Sequence, residues 1–401
     1  MAPRSSDPSE TAAHLERNAV DSLPEGALRK RLEQSAHRGR PLRVKLGIDP
    51  TAPDIHLGHT VVLQKLREFQ DAGHTVVLII GDFTARIGDP SGRSALRPVL
   101  EPEEIDRNAQ TFQDQAFKVL SPERTEVRRN SEWLDMPMED LLRLVRNVTV
   151  ARVTERDDFA QRIAEGRPIS VLELLYPVMQ GYDSVAVRSD VELGGTDQKF
   201  NLLLGRDIQQ AYGQAPQAVL TMPILPGLDG DRRMSKSYGN YIGVTEPPEE
   251  IFGKTMRVPD TAMGTYYELL TDMAPDPALP AVERKRALAR LLVERFHGPG
   301  SAAGAEGHFN RVHREHRPPE EIEEVELSRA ALDDGVVHLP ALLADHFGVS
   351  RSEARRLLGQ GGVRLDGEPL APDELDVEAG RLDGSVLQVG RRKFRRVRLT
   401  G

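Results

Sequence analysis

The sequence of 401 residues contains no cysteine, and aromatic residues make up only 5% of it, with a single tryptophan. The absence of cysteine excludes disulfides, thiolate nucleophiles, iron–sulfur clusters and cysteine zinc sites. No apolar run approaches the roughly 18 residues that a membrane-spanning helix needs, so we expect no membrane association. The first residues lack an apolar stretch after a basic start, so we expect no secretory signal and an intracellular location.

Charge is moderately unbalanced, with 53 Lys+Arg against 62 Asp+Glu and a net charge of −9. This balance argues against a globally basic nucleic-acid binder but allows a local basic surface. Residues 336–401 supply such a surface, with 11 Lys+Arg against 9 Asp+Glu. Six of these basic residues fall within 391–398, a predicted strand that we expect to form a phosphate-contacting edge. A solubilising tail is the alternative.

Hydrophobic patterning predicts a strand, a helix and a second strand early in the chain. Apolar residues alternate over 42–48 and follow helical spacing over 57–69, where Gly73 ends the helix. Residues 75–80 form a continuous apolar run, which is typical of a strand buried on both faces. The pattern predicts a doubly wound α/β fold with a parallel sheet.

After residue 80 the composition and the hydrophobic pattern change from one region to the next. The length of 401 residues and the 39% apolar content of the whole sequence suggest two or three domains. Short strands are predicted at 125–130, 191–196 and 218–225. The acidic residues 320–326 are interpreted as a linker, with a solvated face as the alternative. The expected parts are a polar, partly helical extension (1–40), a catalytic domain with a helical insertion near 100–190 (41–244), a helical domain with linker (245–335) and a small α+β module (336–401).

Two basic motifs suggest a phosphate site. The sequence HLGH, with His56 and His59 on one helical face, lies at a loop-to-helix junction, where unpaired N–H groups favour an anion. Gly58 between them lets a flat ring approach the backbone. The sequence RMSKS at 233–237 places two cations and two hydroxyls in a polar loop and could neutralise a polyphosphate. Taken alone, helix-capping histidines and a solvated loop explain both motifs.

Three further motifs suggest a polar ligand. GDPSG at 88–92 follows the second strand, at the sheet edge where doubly wound folds bind ligands, although an ordinary turn would have the same composition. Tyr176, Gln180 and Asp183 form a polar stripe on one helix face, which could equally be a buried polar network. GGTDQ at 194–198 offers an acid at a helix start that could accept from ribose hydroxyls.

In this order, HLGH, GDPSG, YxxxQxxD, GGTDQ and RMSKS resemble the motifs of class I aminoacyl-tRNA synthetases, and in detail those of the bacterial tyrosyl family. HLGH is similar to the family's HIGH motif and RMSKS to its KMSKS loop. The resemblance spans about residues 42–243. It resumes at 339–370, which looks like the S4-type RNA-binding domain of that family.

The resemblance implies that L-tyrosine and ATP give tyrosyl-adenylate and pyrophosphate, and that the tyrosyl group then passes to the terminal ribose hydroxyl of tRNA(Tyr). It implies a cytoplasmic homodimer with the helical insertion at its interface, and Mg²⁺ accompanying the ATP phosphates without a dedicated protein site. The helical domain would lie on the anticodon side. Neither step needs a protein nucleophile, so charge stabilisation and positioning would do most of the work.

The resemblance also implies roles for individual residues. The catalytic set would be His56, His59, Arg93, Arg97 and Lys236. The ATP-binding set would be Gly47, Thr51, His56, Gly58, His59, Gly195, Asp197, Arg233, Met234, Ser235, Lys236 and Ser237. The tyrosine-binding set would be Thr84, Asp89, Tyr176, Gln180, Asp183 and Gln198. The RNA-binding set would be Arg351, Arg355, Arg356, Arg391, Arg392, Lys393, Arg395 and Arg396.

One departure concerns the phenol pocket. The better-known branch of the family has a second tyrosine in the first strand, where this chain has Lys45, so phenol recognition is expected to depend more heavily on Asp183. Selectivity against phenylalanine would come from leaving that carboxylate unpaired.

Three other functions share some of these features. The tryptophanyl family has the same fold and ATP motifs, but Asp183 and the C-terminal module argue against it. Small adenylyltransferases with a HIGH motif are usually much shorter. A non-catalytic RNA-binding relative would need neither HLGH nor RMSKS.

Overall fold

The computed structural model describes residues 7–50, 54–89, 101–271, 273–314, 322–329, 335–390 and 393–400. The chain forms two compact units. The first comprises Met1–Pro247 and Lys254–Leu288, and the second comprises Pro248–Gly253 and Ala289–Gly401.

A mostly parallel sheet forms the centre of the first unit. Its strands, as far as the chain is described, are β1 (Asp21–Leu23), β2 (Arg43–Ile48), β3 (Thr75–Ile80), β4 (Thr125–Arg129), β5 (Val191–Gly195) and β6 (Ala218–Met222). They lie in the order β1-β6-β5-β2-β3-β4, with β1 antiparallel to β6 and the other pairs parallel. Residues 76–80 are at most 2% exposed, as the apolar run predicted. The predicted doubly wound α/β fold is confirmed.

Helices precede, cover and follow this sheet. In chain order they are α1 (Pro8–Glu16), α2 (Ala27–Arg38), α3 (Leu57–Asp71), α4 (Thr84–Ile87), α5 (Pro102–Ala116), α6 (Ser131–Leu134), α7 (Met138–Val145), α8 (Val150–Val153), α9 (Asp157–Ala164), α10 (Val171–Ala186), α11 (Lys199–Ala211), α12 (Pro248–Arg257), α13 (Asp260–Leu270) and α14 (Ala281–His297). Residues of α12 and α14 belong to both units. Within the described residues, no helix combines the length and apolar character needed to cross a bilayer.

The strand order reverses between β2 and β5. From β2 the sheet continues to β3 on one side, whereas β5 and β6 lie on the other. The loops that follow these strands therefore diverge and leave a crevice at their carboxyl ends, where open α/β sheets bind ligands.

The second unit contains a small core beneath a separate sheet. Its elements are α15 (Ser301–His313), β7 (Glu324–Ser328), β8 (Val336–His338), α16 (Leu339–Phe347), α17 (Arg351–Gly359), β9 (Val363–Leu365), β10 (Glu368–Pro369), β11 (Asp376–Glu378), α18 (Ala379–Leu382), β12 (Val386–Val389) and β13 (Lys393–Thr400). Within the described part, one sheet has the order β10-β9-β12-β13-β7, and β8 pairs with β11. Leu343, Leu358 and Leu387 are fully buried in its core.

The acidic segment near residue 324 corrects two predictions. It was interpreted as a linker, but part of it forms β7, which pairs in parallel with the basic strand β13. Carboxylates of this segment neutralise the strand, because Glu323 lies 2.7 Å from Arg395 and Glu324 lies 3.2 Å from Arg398. Since β13 lies between β12 and β7, it is not the sheet edge that we predicted.

Candidate active site

A cavity of about 430 Å³ opens at the carboxyl ends of the central strands. The loops after β2, β3, β5 and β6 contribute to its wall, together with the start of α3, the polar face of α10 and the RMSKS loop. Sequence-distant motifs therefore meet in one cavity because the strands that carry them end at the same edge of the sheet.

The HLGH motif forms one end of this cavity. His56 caps α3, and its Nδ1 accepts from the Gly58 N–H at 3.2 Å, while Nδ1 of His59 accepts from the His56 N–H at 3.2 Å. A neutral ring that accepts at Nδ1 carries its proton on Nε2. Burial, with the charge of Lys236 as a further cause, lowers the pKa of His56 to about 2 and of His59 to about 4. Both rings are therefore neutral Nε2–H donors at physiological pH.

The RMSKS loop lies against the same end. Lys236 Nζ is 3.0 Å from Asp54 Oδ2, and Arg233 Nη1 is 3.4 Å from Asp197 Oδ2. The chain that follows the loop is anchored, because the Leu57 N–H donates to the Ile242 carbonyl at 3.0 Å. The two basic motifs thus lie side by side, and each cation is paired with a carboxylate that also lines the cavity.

Gly58 keeps a surface between these motifs clear of side chains. A Cβ at this position would lie 3.0 Å from the His56 ring and 3.6 Å from the Met234 Cβ. Any larger residue would therefore displace the imidazole from the position in which it caps the helix.

The opposite end of the cavity is lined by hydroxyl, amide and carboxylate groups. Tyr176 donates to Asp49 Oδ2 at 2.8 Å, and Thr84 donates to Asp49 Oδ1 at 2.6 Å. Burial raises the pKa of Tyr176 well above its usual value, with Asp49 a further cause, so this hydroxyl remains a donor. A Cβ at Gly81 would lie 2.1 Å from Asp49 Oδ1, so only glycine permits this arrangement at the end of β3.

A second polar group surrounds Asp89. Its Oδ1 lies 3.0 Å from Arg156 Nη2, and its Oδ2 accepts from Gln198 Nε2 at 3.0 Å. Asn201 donates to Gln180 Oε1 at 2.8 Å and to Gln198 Oε1 at 3.0 Å. The side chains of this cluster therefore hold one another in place around a carboxylate that can accept from a ligand ammonium.

Asp183 lies deeper and is only 3% exposed. Its Oδ1 accepts from the indole N–H of Trp133 at 2.8 Å. Burial raises the pKa of Asp183 to about 7, against the opposing effects of Lys45 and of hydrogen bonds from Trp133 and Asn130. Burial disfavours the ionised carboxylate, and these neighbours partly offset that effect. A buried carboxylate stabilised in this way suits recognition of a ligand hydroxyl.

Lys45 occupies the β2 position at which the better-known branch has its second tyrosine. The side chain of Lys45 is 0% exposed, and its ammonium lies 2.7 Å from Glu192 Oε1. Glu192 itself lines the cavity. A buried ion pair therefore lies below the pocket on the side that faces the sheet.

The predicted site residues can now be placed. Along the cavity lie Gly47, His56, Gly58, His59, Thr84, Asp89, Tyr176, Gln180, Asp183, Gly195, Asp197, Gln198, Arg233, Met234, Ser235, Lys236 and Ser237. Thr51, Arg93 and Arg97 lie outside the described residues. The roles assigned to all of these residues stay predictions.

Several residues that shape the site were missed. Asp49 and Asp54 line the cavity from the segment between β2 and HLGH, and their position after a strand of the sheet was the available signal. Trp133 and Arg156 come from the helical insertion, where nothing in the local sequence marks them as partners of Asp183 and Asp89. No group of three or more His, Asp or Glu residues in the described chain is arranged to hold a metal ion.

The predicted RNA-binding residues lie in the second unit. Arg351, Arg355 and Arg356 are exposed on α17, whereas Lys393, Arg395 and Arg396 lie on β13. Arg396 donates to the Gly384 carbonyl at 3.1 Å, so part of the basic strand makes contacts within the unit. Arg391 and Arg392 lie outside the described residues.

Comparison with known proteins agrees with this geometry. The family model described as "tRNA synthetases class I (W and Y)" matches residues 37–314. The tyrosine–tRNA ligase of Moorella thermoacetica is 51% identical over 96% of this chain and 94% of its own length. That of Thermotoga maritima is 52% identical over 97% of this chain and 98% of its own. The chain is thus a class I tRNA synthetase, and within that class it belongs to the tyrosine–tRNA ligase family.

A solved structure supports the same fold. The tyrosyl-tRNA synthetase of Archaeoglobus fulgidus, crystallised with L-tyrosine, superposes with a TM-score of 0.63 at 25% identity, over 75% of this chain and 99% of the other.

Proposed function

We propose that the chain activates L-tyrosine with ATP, giving tyrosyl-adenylate and pyrophosphate, and then transfers the tyrosyl group to the terminal ribose hydroxyl of tRNA(Tyr). One observation carries the proposal: a single cavity joins the two basic motifs at one end to a buried carboxylate, Asp183, at the other. This arrangement fits a triphosphate beside an amino acid with a polar side-chain terminus.

At the ATP end, His56 and His59 donate neutral Nε2–H bonds to the phosphates as the tyrosine carboxylate attacks the α-phosphorus. Lys236 exchanges its Asp54 partner for the leaving pyrophosphate, and Asp197 exchanges Arg233 for the ribose. These donors stabilise charge that develops in the transition state, so no protein nucleophile is required. Arg93 and Arg97 are predicted to help hold the pyrophosphate.

Magnesium fits this end only through the nucleotide. Mg²⁺ prefers oxygen ligands, and phosphate oxygens supply them where the described residues offer no dedicated set. We therefore propose that Mg²⁺ enters with ATP and offsets phosphate charge.

At the tyrosine end, Asp89 and Tyr176 receive the ammonium, Gln180 and Gln198 orient the backbone of the substrate, and Asp183 accepts from the phenol. Phenylalanine would leave Asp183 buried without that partner, which is the costly outcome for a buried charged group. Selectivity for tyrosine then follows from desolvation and not from pocket size.

For the second step, the exposed arginines of α17 provide a phosphate-binding surface for tRNA, because exposed cations displace condensed counterions. Glu323 and Glu324 neutralise Arg395 and Arg398. On α17 Arg356 is paired with Glu353, so Arg351 and Arg355 are the principal candidates.

A homodimer is supported by six exposed apolar side chains on the helical insertion. They are Met138 (68% exposed), Leu142 (59%), Val150 (67%), Ile163 (55%), Val171 (75%) and Leu172 (49%). Exposed apolar side chains concentrated in one region of a chain mark interaction surfaces, and a second copy is the occupant that the family resemblance implies. Light scattering should give a dimer mass, and Leu142→Asp combined with Val171→Asp should give a monomer.

The direct test of the proposed function is amino-acid-dependent exchange of labelled pyrophosphate into ATP. Tyrosine should support exchange, whereas phenylalanine should support it only weakly and tryptophan should not. Exchange driven by tryptophan, or no exchange with any amino acid, would contradict the proposal.

A further inference from the structure

The buried ion pair beneath the cavity has no role in the chemistry described above. Lys45 on β2 and Glu192 on β5 are register partners, and they are 0% and 1% exposed. Besides its 2.7 Å contact with Glu192, the ammonium donates to the Ser184 hydroxyl at 2.9 Å and to the Gln180 carbonyl at 3.2 Å. These acceptors use all its donors, so Lys45 can act on a ligand only through its charge.

Glu192 is equally constrained. Its Oε2 accepts from the Ser184 hydroxyl at 3.0 Å and from the side-chain amide of Gln217. Replacing a buried ion pair with apolar groups is often neutral or stabilising, so a pair at the base of a binding cavity is poorly explained by stability alone.

The ion pair contacts α10 next to Asp183, because the Lys45 ammonium donates to the hydroxyl of Ser184, the following residue. Lys45 from β2 favours the ionised form of Asp183, as do hydrogen bonds from Asn130 and Trp133 in the segment after β4, whereas Glu192 from β5 opposes ionisation. Tyr176, on the same helix as Asp183, stays neutral because burial raises its pKa well above the usual value.

We propose that Lys45 is a positioning residue for substrate selection: its charge, set against that of Glu192, keeps Asp183 ionised and thus able to accept from the phenol of tyrosine. The inference rests on the proposed function, because it assigns a cause to the choice of tyrosine over phenylalanine. Its physical basis is local charge balance in a site where water cannot screen.

The charge balance predicts that the pKa of Asp183 shifts in opposite directions in two variants. Lys45→Met leaves two carboxylates in one buried site, which raises the pKa of Asp183 and favours its protonated form. Glu192→Gln removes the opposing negative charge and lowers that pKa. If the ion pair had only a structural role, the pKa of Asp183 would shift in the same direction in both variants or would not shift.

The sole tryptophan, Trp133, is hydrogen-bonded to Asp183 and provides a direct probe. Its emission should titrate with the carboxyl in the full-length protein without any substrate. We expect the midpoint to rise by about one pH unit or more in Lys45→Met, which is a tenfold change in the ionisation constant, and to fall in Glu192→Gln. The double variant should return toward the wild-type midpoint.

Lys65→Met is a matched control. Lys65 is also buried, at 3% exposure, and its ammonium lies 2.6 Å from Glu68, but this pair lies within α3. Loss of this pair should perturb stability without moving the Trp133 midpoint. If Lys45→Met does not fold, Glu192→Gln and the double variant still test the sign.

The kinetic arm measures pyrophosphate exchange with tyrosine and phenylalanine across pH. In Lys45→Met, kcat/KM for tyrosine at neutral pH should fall about tenfold and recover about two pH units higher, as expected when an essential acceptor is protonated. The rate with phenylalanine should not follow this profile. Unchanged midpoints in both Lys45→Met and Glu192→Gln, or an equal shift in Lys65→Met, would overturn the inference. If the midpoints shift in the two variants as expected but the wild type is inactive with tyrosine, the proposed function is refuted and the charge balance is not.

Discussion

Replacement of Asp183 by asparagine should make the protein more stable, by an amount that depends on pH. Burial raises the pKa of this carboxyl from 3.8 to about 7. A shift of roughly three pKa units corresponds to about 4 kcal/mol, because each unit is about 1.4 kcal/mol.

The sign follows from proton linkage. Between the unfolded and the folded pKa the native state holds a proton that the unfolded state has lost, so the wild type loses stability as pH rises through this window. Above about pH 7 both states are ionised and the full penalty remains; below about pH 4 it is nearly absent. Asp183→Asn removes this dependence while its amide oxygen still accepts from Trp133.

Urea unfolding followed by Trp133 fluorescence measures the unit that contains the site. We expect Asp183→Asn to exceed the wild type by up to about 4 kcal/mol at pH 8 and by under about 1 kcal/mol at pH 4. The same variant should lose about 10- to 150-fold in kcat/KM for tyrosine, the value of a hydrogen bond to a charged group, and little for phenylalanine. A stability difference that is absent or constant with pH would refute the reasoning.

Four further predictions concern the rest of the site. His59→Ala and Lys236→Ala should each slow adenylate formation by roughly 100-fold or more in single-turnover assays with little change in tyrosine affinity, because their contacts strengthen in the transition state; normal rates would contradict this. Asp54→Ala removes the carboxylate that pairs with Lys236 in the absence of ATP, so the KM for ATP in the exchange assay should fall, and a raised KM would show that Asp54 serves ATP binding directly. Arg156→Ala removes one of the groups that hold the Asp89 carboxylate in place and should raise the KM for tyrosine by about tenfold, whereas an effect confined to kcat would argue against this positioning. Arg355→Glu should weaken tRNA charging, with a shallower salt dependence, and leave pyrophosphate exchange intact; loss of both activities would mean that the residue supports the fold.

Local sequence was sufficient where the determining interactions are local. The apolar run at 75–80 predicted a strand buried on both faces, which the structure shows, and the preceding helix ends just before Gly73 as expected. The histidines of HLGH cap the helix that they begin, because the bonds involved join residues only two or three positions apart. The order of motifs was enough to place the family and its site along one sheet edge.

Contacts between residues far apart in sequence determined the other side-chain partners in the site and the pairing of β7. No periodicity links Trp133 to Asp183, or Arg156 to Asp89, since tertiary packing brings these partners together from positions 50 and 67 residues apart. The acidic segment was interpreted as a linker because its composition favours solvent, yet a basic strand distant in sequence supplied the countercharge that lets part of it form β7.

Lys45 is the clearest example of a residue whose role depends on tertiary structure. From the sequence it was only an unexpected charge in a buried strand. Its partners lie on β5 and α10. Only the assembled sheet, with α10 packed against it, determines that every N–H of the ammonium has an acceptor and that Lys45 acts on Asp183 by charge. Sequence periodicity and motif order are local or one-dimensional, whereas the environment of a buried charge depends on every element packed around it.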